Sequence, residues 1–330
     1  MNELALDLST PRALAWLARA LGPGGASALD GAVPAALWRR ALGGPAAHFL
    51  ARPGKELRAS VVRAGWLLGG RTGEPPEALV AALELIHAGS LIVDDVEDDS
   101  DERRGAPALH RLVGVPLAIN TGSWMYFWAL AELGALEIPG AVELAVGSLV
   151  RCHQGQALDL SVRVADLDVA SAAGVVETIT RLKTGALLRL AGELGALAAG
   201  APMPVREAIG AFAERAGIAL QMLDDLGSLV ARRDKGREDL RGGRATWPWA
   251  WLAEVAAFTW SRLAARAGVH DVDPLADELY EIVAATGRAR IRALLDGAET
   301  ELARALGPSL PPGTLDAVAA ELRRMERSYG

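Results

Sequence analysis

Residues 94–105 read Asp-Asp-Val-Glu-Asp-Asp-Ser-Asp-Glu-Arg-Arg-Gly, and a second acidic pair, Asp224-Asp225, lies about 130 residues downstream in another apolar stretch. Asp94 and Asp98 are one helical turn apart, so on a helix they project from nearly the same side, with Asp95 offset by about 100°. Two such carboxylates can share a hard, oxygen-loving cation. Mg²⁺ in particular is held by one or two carboxylates completed by phosphate oxygens. The paired arginines at 103 and 104 suit a phosphate better than the acids beside them. An isolated charge run is usually a solvated helix end. This one emerges abruptly from Leu85–Val93, which is almost wholly apolar.

The basic residues sharpen the reading. Only Lys55, Lys183 and Lys235 are lysines, against 31 arginines. A chain that takes arginine nearly everywhere has kept three compact ammonium groups, which differ physically from the planar guanidinium fork. They sit in Gly54-Lys55-Glu56-Leu57-Arg58, Lys183-Thr184-Gly185 and Asp234-Lys235-Gly236.

Helices must position these groups. Ala, Leu, Arg and Glu dominate, and the alternation expected of strands is scarce. Half the residues are hydrophobic, enough for a sizeable core, and Gly and Pro clusters punctuate the chain at Gly22–Gly25, Gly69–Pro76, Pro202–Pro204, Gly242-Gly243 and Pro308–Gly313. This predicts an all-α single domain over 1–330, with the apolar helices around 77–95 and 208–228 at its centre. The net charge of −7 argues against a general nucleic-acid footprint. One cysteine, Cys152, excludes an intramolecular disulfide and fits a reducing compartment. The acidic N-terminus lacks a signal-peptide start, and no run reaches a membrane span. A cytoplasmic protein is expected.

The motifs, in order, resemble those of the trans-isoprenyl (polyprenyl) diphosphate synthases, the family of farnesyl and geranylgeranyl diphosphate synthases, over roughly residues 45–300. Gly54-Lys55-x-x-Arg58 resembles the family's GKxxR. His87, Asp94-Asp95-x-x-Asp98 and Arg103-Arg104-Gly105 resemble the first aspartate-rich region. Gly155-Gln156-x-x-Asp159 resembles GQxxD, and Lys183-Thr184 resembles the KT pair. Gln221-x-x-Asp224-Asp225 resembles the second aspartate-rich region, followed by Lys235 and Asp239.

The resemblance implies a helical bundle of isoprenoid-synthase type around a deep central cavity, usually homodimeric, with three Mg²⁺ ions at its mouth. It implies Asp94, Asp98 and Asp224 as metal ligands, with Asp95, Asp225, Asp159 and Gln156 behind them. Arg103, Lys183 and Lys235 would hold an allylic diphosphate. Lys55, Arg58, His87 and Arg104 would hold isopentenyl diphosphate. The expected reaction is a condensation of the two substrates, with Lys183 assisting departure of the diphosphate and with Gln221 and the Thr184 hydroxyl or backbone carbonyl steadying an allylic cation by their dipoles. Small residues at Ala88 and Gly89, just before the first acids, would open a tunnel for products of C20 or longer. The block Trp124–Trp128 could floor it or simply fill core, and Trp247, Trp249, Trp251 and Trp260 are expected in core or interface.

The departures are Val93, Ser123, Arg237, Ala59 and above all Ser228, which stands where the second motif has its third acid. Two alternatives follow from them: a non-catalytic subunit of a heteromeric synthase, or a class I terpene cyclase.

Overall fold

The computed structural model describes residues 12–22, 25, 29–52, 57–230, 234–268 and 272–307, and only the backbone of Arg12 and of 234–236. Lys55 therefore lies outside the described residues, as do the side chain of Lys235 and the break at 308–313. The chain forms two compact units that interleave in sequence, residues 1–62 with 74–143 and residues 63–73 with 144–330.

The first unit contains α1 (Arg12–Leu21), α2 (Ala35–Trp38), α3 (Gly44–Leu50), the first half of α4 (Leu57–Leu68), α5 (Glu77–Glu97), α6 (Leu109–Val113) and α7 (Val115–Ala135). A two-stranded hairpin, β1 (Glu102–Arg103) and β2 (Ala106–Pro107), joins α5 to α6. Helix α5 starts after Pro76, as a fixed proline φ favours. Leu79, Leu83, Ile86 and Ile92 are buried along it, and it packs on α7. It stops in a Schellman arrangement. Ser100 N–H donates to Asp95 O at 2.9 Å and Asp99 N–H to Val96 O at 3.3 Å, with Asp99 at φ 51° in the place usually taken by glycine. Asp98 is thereby held as the last helical-geometry residue of the turn that carries Asp94.

The second unit contains α8 (Ala141–Ser161, from Leu144 onward), α9 (Val169–Thr180), α10 (Ala186–Ala198), α11 (Met203–Val230), α12 (Asp234–Arg241), α13 (Trp247–Val255), α14 (Trp260–Ala264) and α15 (Asp273–Leu306). Helix α9 opens on Asp168, whose Oδ1 accepts from Ser171 N–H at 2.8 Å. Helix α11 packs on α10 and α15, and α13 packs on α9 and α15. Trp247, Trp249, Trp251 and Trp260 are all buried in one apolar cluster with Leu226, Leu252, Leu275 and Leu279, which makes them core. Both helices expected at the centre of the fold, α5 and α11, are heavily buried.

Candidate active site

In the first unit, Arg103 folds back onto the acidic helix end. Its Nε donates to Asp95 Oδ1 at 2.6 Å and its Nη2 to Asp94 Oδ2 at 3.2 Å. Asp95 is fully buried, and burial pushes its carboxyl above the usual range against the pull of Arg103. Its Oδ2 is buried without a hydrogen-bond partner. Asp94 and Asp98 are only half-buried. The expected division of labour, metal at the acids and phosphate at Arg103, thus meets a structure in which Arg103 itself supplies the positive charge beside Asp94 and Asp95.

Behind the acids lies a basic cluster. Burial pushes His87 well below the ordinary histidine range, helped by the guanidinium groups of Arg58, Arg104 and Arg103. Burial also lowers Arg104, with Arg103 and Arg52 adding to the effect and Glu84 opposing it. Arg58 and Arg104 are thus both within electrostatic reach of His87. Arg104 sits in the two-residue loop between β1 and β2, with φ 55° followed by Gly105 at φ 72°. Positive φ at both central residues is the geometry of a type I′ turn, normally taken by Asn-Gly or Gly-Gly. An arginine there costs on the order of 1 kcal/mol.

Gly89 is required by contact. A Cβ at Gly89 would meet Gly122 O at 2.7 Å and Met125 Cβ at 3.3 Å. Its small size lets α5 and α7 approach backbone to backbone, so it is no sign of an open tunnel. Ala88 is buried beside it. Of the aromatic block on α7, Met125 and Trp128 are core, Trp124 stacks on Trp128 at 5.1 Å, and Phe127 is 70% exposed.

The second unit assembles its own set. Between α9 and α10 the helix widens over Arg181–Gly185, where Ala186 N–H reaches back five residues to Arg181 O. Such π turns recur at functional sites, and this one carries Lys183 and Thr184. Lys183 Nζ lies 2.6 Å from Asp159 Oδ2. The same oxygen accepts from Arg244 Nη1 at 2.9 Å. Gly155, one turn before Asp159 on α8, is needed by contact: a Cβ there would meet Lys183 N at 2.4 Å. Half-buried Gln156 is its neighbour.

Thr184 Oγ1 donates to Gln221 Oε1 at 3.1 Å, and Gln221 Nε2 donates to Asp225 Oδ1 at 2.7 Å. The backbone N–H of Trp247 donates to Asp225 Oδ2 at 3.0 Å. Burial raises Asp225 to about 7 despite these donors, and Asp239 and Asp224 add repulsion. Asp224, on the same turn, is half-buried. Ser228 takes no acid's part: its hydroxyl donates to Asp225 O at 2.8 Å, back into its own helix. Arg244 and the N–H of Trp247 are the groups that sequence reasoning missed. The Gly242-Gly243 turn just before Arg244 was the one available signal.

Among the described residues, no three His, Cys, Asp or Glu side chains converge on a point that could hold a metal ion. The donors do not form an all-protein cage. Asp94 and Asp98 instead offer hard oxygens one turn apart, and Asp95 keeps an unpartnered buried oxygen. This chemistry fits Mg²⁺ completed by phosphate oxygens and water.

A relative from Zymoseptoria tritici, geranylgeranyl pyrophosphate synthase 2, is 34% identical over 221 residues, which cover 62% of this chain and 62% of that protein. The geranylgeranyl pyrophosphate synthase of Mucor circinelloides is 33% identical over 213 residues, 62% of this chain and 67% of that one. The chain thus spans less than two thirds of the length of the first of these relatives. In fold it is similar to a decaprenyl diphosphate synthase from Rhodobacter capsulatus, with a TM-score of 0.79, 22% identity, and coverage of 97% of this chain and 96% of that one. It is also similar to a geranylgeranyl pyrophosphate synthase from Lactobacillus brevis, with a TM-score of 0.73, 21% identity, and coverage of 96% and 95%. Residues 39–265, most of the chain and nearly all of the groups just described, match the Polyprenyl synthetase family, and the chain belongs to that family.

Proposed function

We propose that this protein is a Mg²⁺-dependent prenyltransferase that condenses isopentenyl diphosphate with an allylic diphosphate into a longer trans-prenyl diphosphate, acting as a single domain over 1–330. The observation that carries the reading is that the acids of each motif have polar partners of their own: Asp94-Asp95 have Arg103, and Asp225 has Gln221, which in turn takes Thr184. The family match runs through both units.

In this scheme Asp94, Asp98 and Asp224 would hold three Mg²⁺ ions, which supply Lewis-acid stabilisation to the departing diphosphate. Arg103, Lys183 and Lys235 neutralise the same leaving group. Arg58, His87 and Arg104, with Lys55, bind the diphosphate of the second substrate. His87 donates a hydrogen bond to it. The Gln221 and Thr184 dipoles face the carbon skeleton and steady the cation that develops on it. The double bond of isopentenyl diphosphate attacks that cation, and a proton leaves to the released diphosphate. The apolar surroundings exclude water.

Products of C20 or longer are proposed on the names of the curated relatives, since Gly89 no longer supports them. A homodimer is proposed on the row Val115, Ile119 and Phe127, exposed along one face of α7. No helix among the described residues is long and apolar enough to cross a membrane, and a cytoplasmic location is proposed. Neither the cyclase nor the non-catalytic subunit is favoured by the relatives named above.

The test is incubation with labelled isopentenyl diphosphate and each allylic diphosphate, with and without Mg²⁺. Mg²⁺-dependent elongation supports the synthase. Hydrocarbon made from a long diphosphate alone, or no turnover by folded protein, rejects it.

A further inference from the structure

Arg52 follows α3 and enters none of the motifs, yet it makes the contacts that hold the β1–β2 hairpin. Its Nη1 donates to Arg103 O at 3.0 Å, and its Nη2 donates to Pro107 O at 2.7 Å. These carbonyls belong to opposite strands, one on each side of the Arg104-Gly105 loop. Nη2 also lies 2.9 Å from His48 Nε2, which accepts when its ring proton is on Nδ1. The backbone closes the circuit, since Arg104 Nη1 donates to Arg52 O at 3.4 Å. Both guanidinium groups lie against the Phe49 ring, with centroid distances of 5.6 Å for Arg52 and 5.8 Å for Arg104.

The hairpin needs such a clamp. Two-stranded ribbons are marginal alone, and each strand here has two residues. The loop carries a non-glycine residue at positive φ. A planar fork can donate in two directions from fixed geometry, whereas a lysine is a single point donor. Without the clamp, relaxation of the loop would swing Arg104 away from Arg58 and His87.

We propose that Arg52 is a positioning residue: it fixes the hairpin so that Arg104 is presented to the diphosphate of isopentenyl diphosphate. The proposal rests on the synthase reading above.

The test compares wild type with Arg52→Leu, Arg52→Gln and Arg52→Lys in the full chain. Three quantities are measured: KM for isopentenyl diphosphate against kcat, affinity for inorganic pyrophosphate by calorimetry, and the rate of tryptic cleavage after Arg103 and Arg104 by mass spectrometry. For Arg52→Leu the KM should rise about tenfold, as for loss of charge-assisted hydrogen bonds, with kcat within about threefold. Pyrophosphate should bind more weakly and cleavage in the hairpin should accelerate. Arg52→Gln, which retains two N–H donors, should recover part of all three.

Unchanged KM and pyrophosphate affinity, or unchanged cleavage, overturns the proposal. So does rescue of KM by lysine but not by glutamine, which would make Arg52 a simple charge. If the leucine variant does not melt cooperatively, the glutamine and lysine pair decides. A wild type that elongates nothing counts against the synthase reading instead, and pyrophosphate affinity and cleavage then still decide for Arg52.

Discussion

Lys183 and Asp159, 24 residues apart in sequence, form an ion pair of 2.6 Å that joins α8 to the π turn at Arg181–Gly185. Asp159 also takes Arg244, so one carboxylate orders two cations. Asp159→Asn leaves Lys183 and Arg244 repelling each other. The expected outcome is a loss of about 1–3 kcal/mol of stability and an increase of about tenfold in KM for the allylic diphosphate. Unaltered melting and kinetics would remove Asp159 as their organiser.

Two glycines of α8 separate close contact from simple helix propensity. Gly155→Ala drives a methyl into Lys183 N at 2.4 Å and Leu182 C at 2.8 Å. Backbone cannot yield cheaply, so about 2–3 kcal/mol should be lost. Gly147→Ala meets nothing within 4 Å and should gain up to about 1 kcal/mol. Denaturant melts of the two variants should move in opposite directions.

His87 gives a pH signature. Its folded pKa lies well below the usual 6.5, chiefly through burial and then through Arg58, Arg104 and Arg103. The unfolded chain therefore binds a proton that the native one refuses. Stability is fully present above about pH 6.5 and is lost as the pH falls below it. Thermal melts of His87→Gln, which cannot titrate, should fall less steeply than wild type across that acidic window. Parallel curves would mean that the imidazole titrates normally.

Gly89 is the cleanest test of what controls product length. Gly89→Leu must displace Gly122 O or Met125, so overpacking should cost about 1–3 kcal/mol. Product chromatography alongside melting decides the matter. A folded, stable variant with a shorter product would restore Gly89 to the tunnel.

Several features were legible in the sequence because their signals are local. The acids at 94–98 follow an apolar run, prolines and glycines mark most helix ends, and the tryptophans at 247, 249 and 251 sit in a helix too apolar to face water. Gly89 reads two ways in the sequence because a missing side chain can mean an open space or a close approach, and the backbone of Gly122 supplies the close approach. Arg52 and Arg244 were hard to single out for another reason. Each acts on a residue far along the chain, 51 and 85 positions away. Among 31 arginines, none announces itself by type. The π turn had no signature either, since its one extra residue per turn leaves the composition of a helix unchanged.

The Arg104-Gly105 loop sets two demands against each other. Backbone geometry at 104 asks for Asn or Gly, and the charge cluster asks for Arg. A library randomised at this position and selected only for folded yield should drift to Asn or Gly. The same library selected for turnover should return to arginine. The gap between the two outcomes measures how much conformational ease this loop gives up to hold one guanidinium in place.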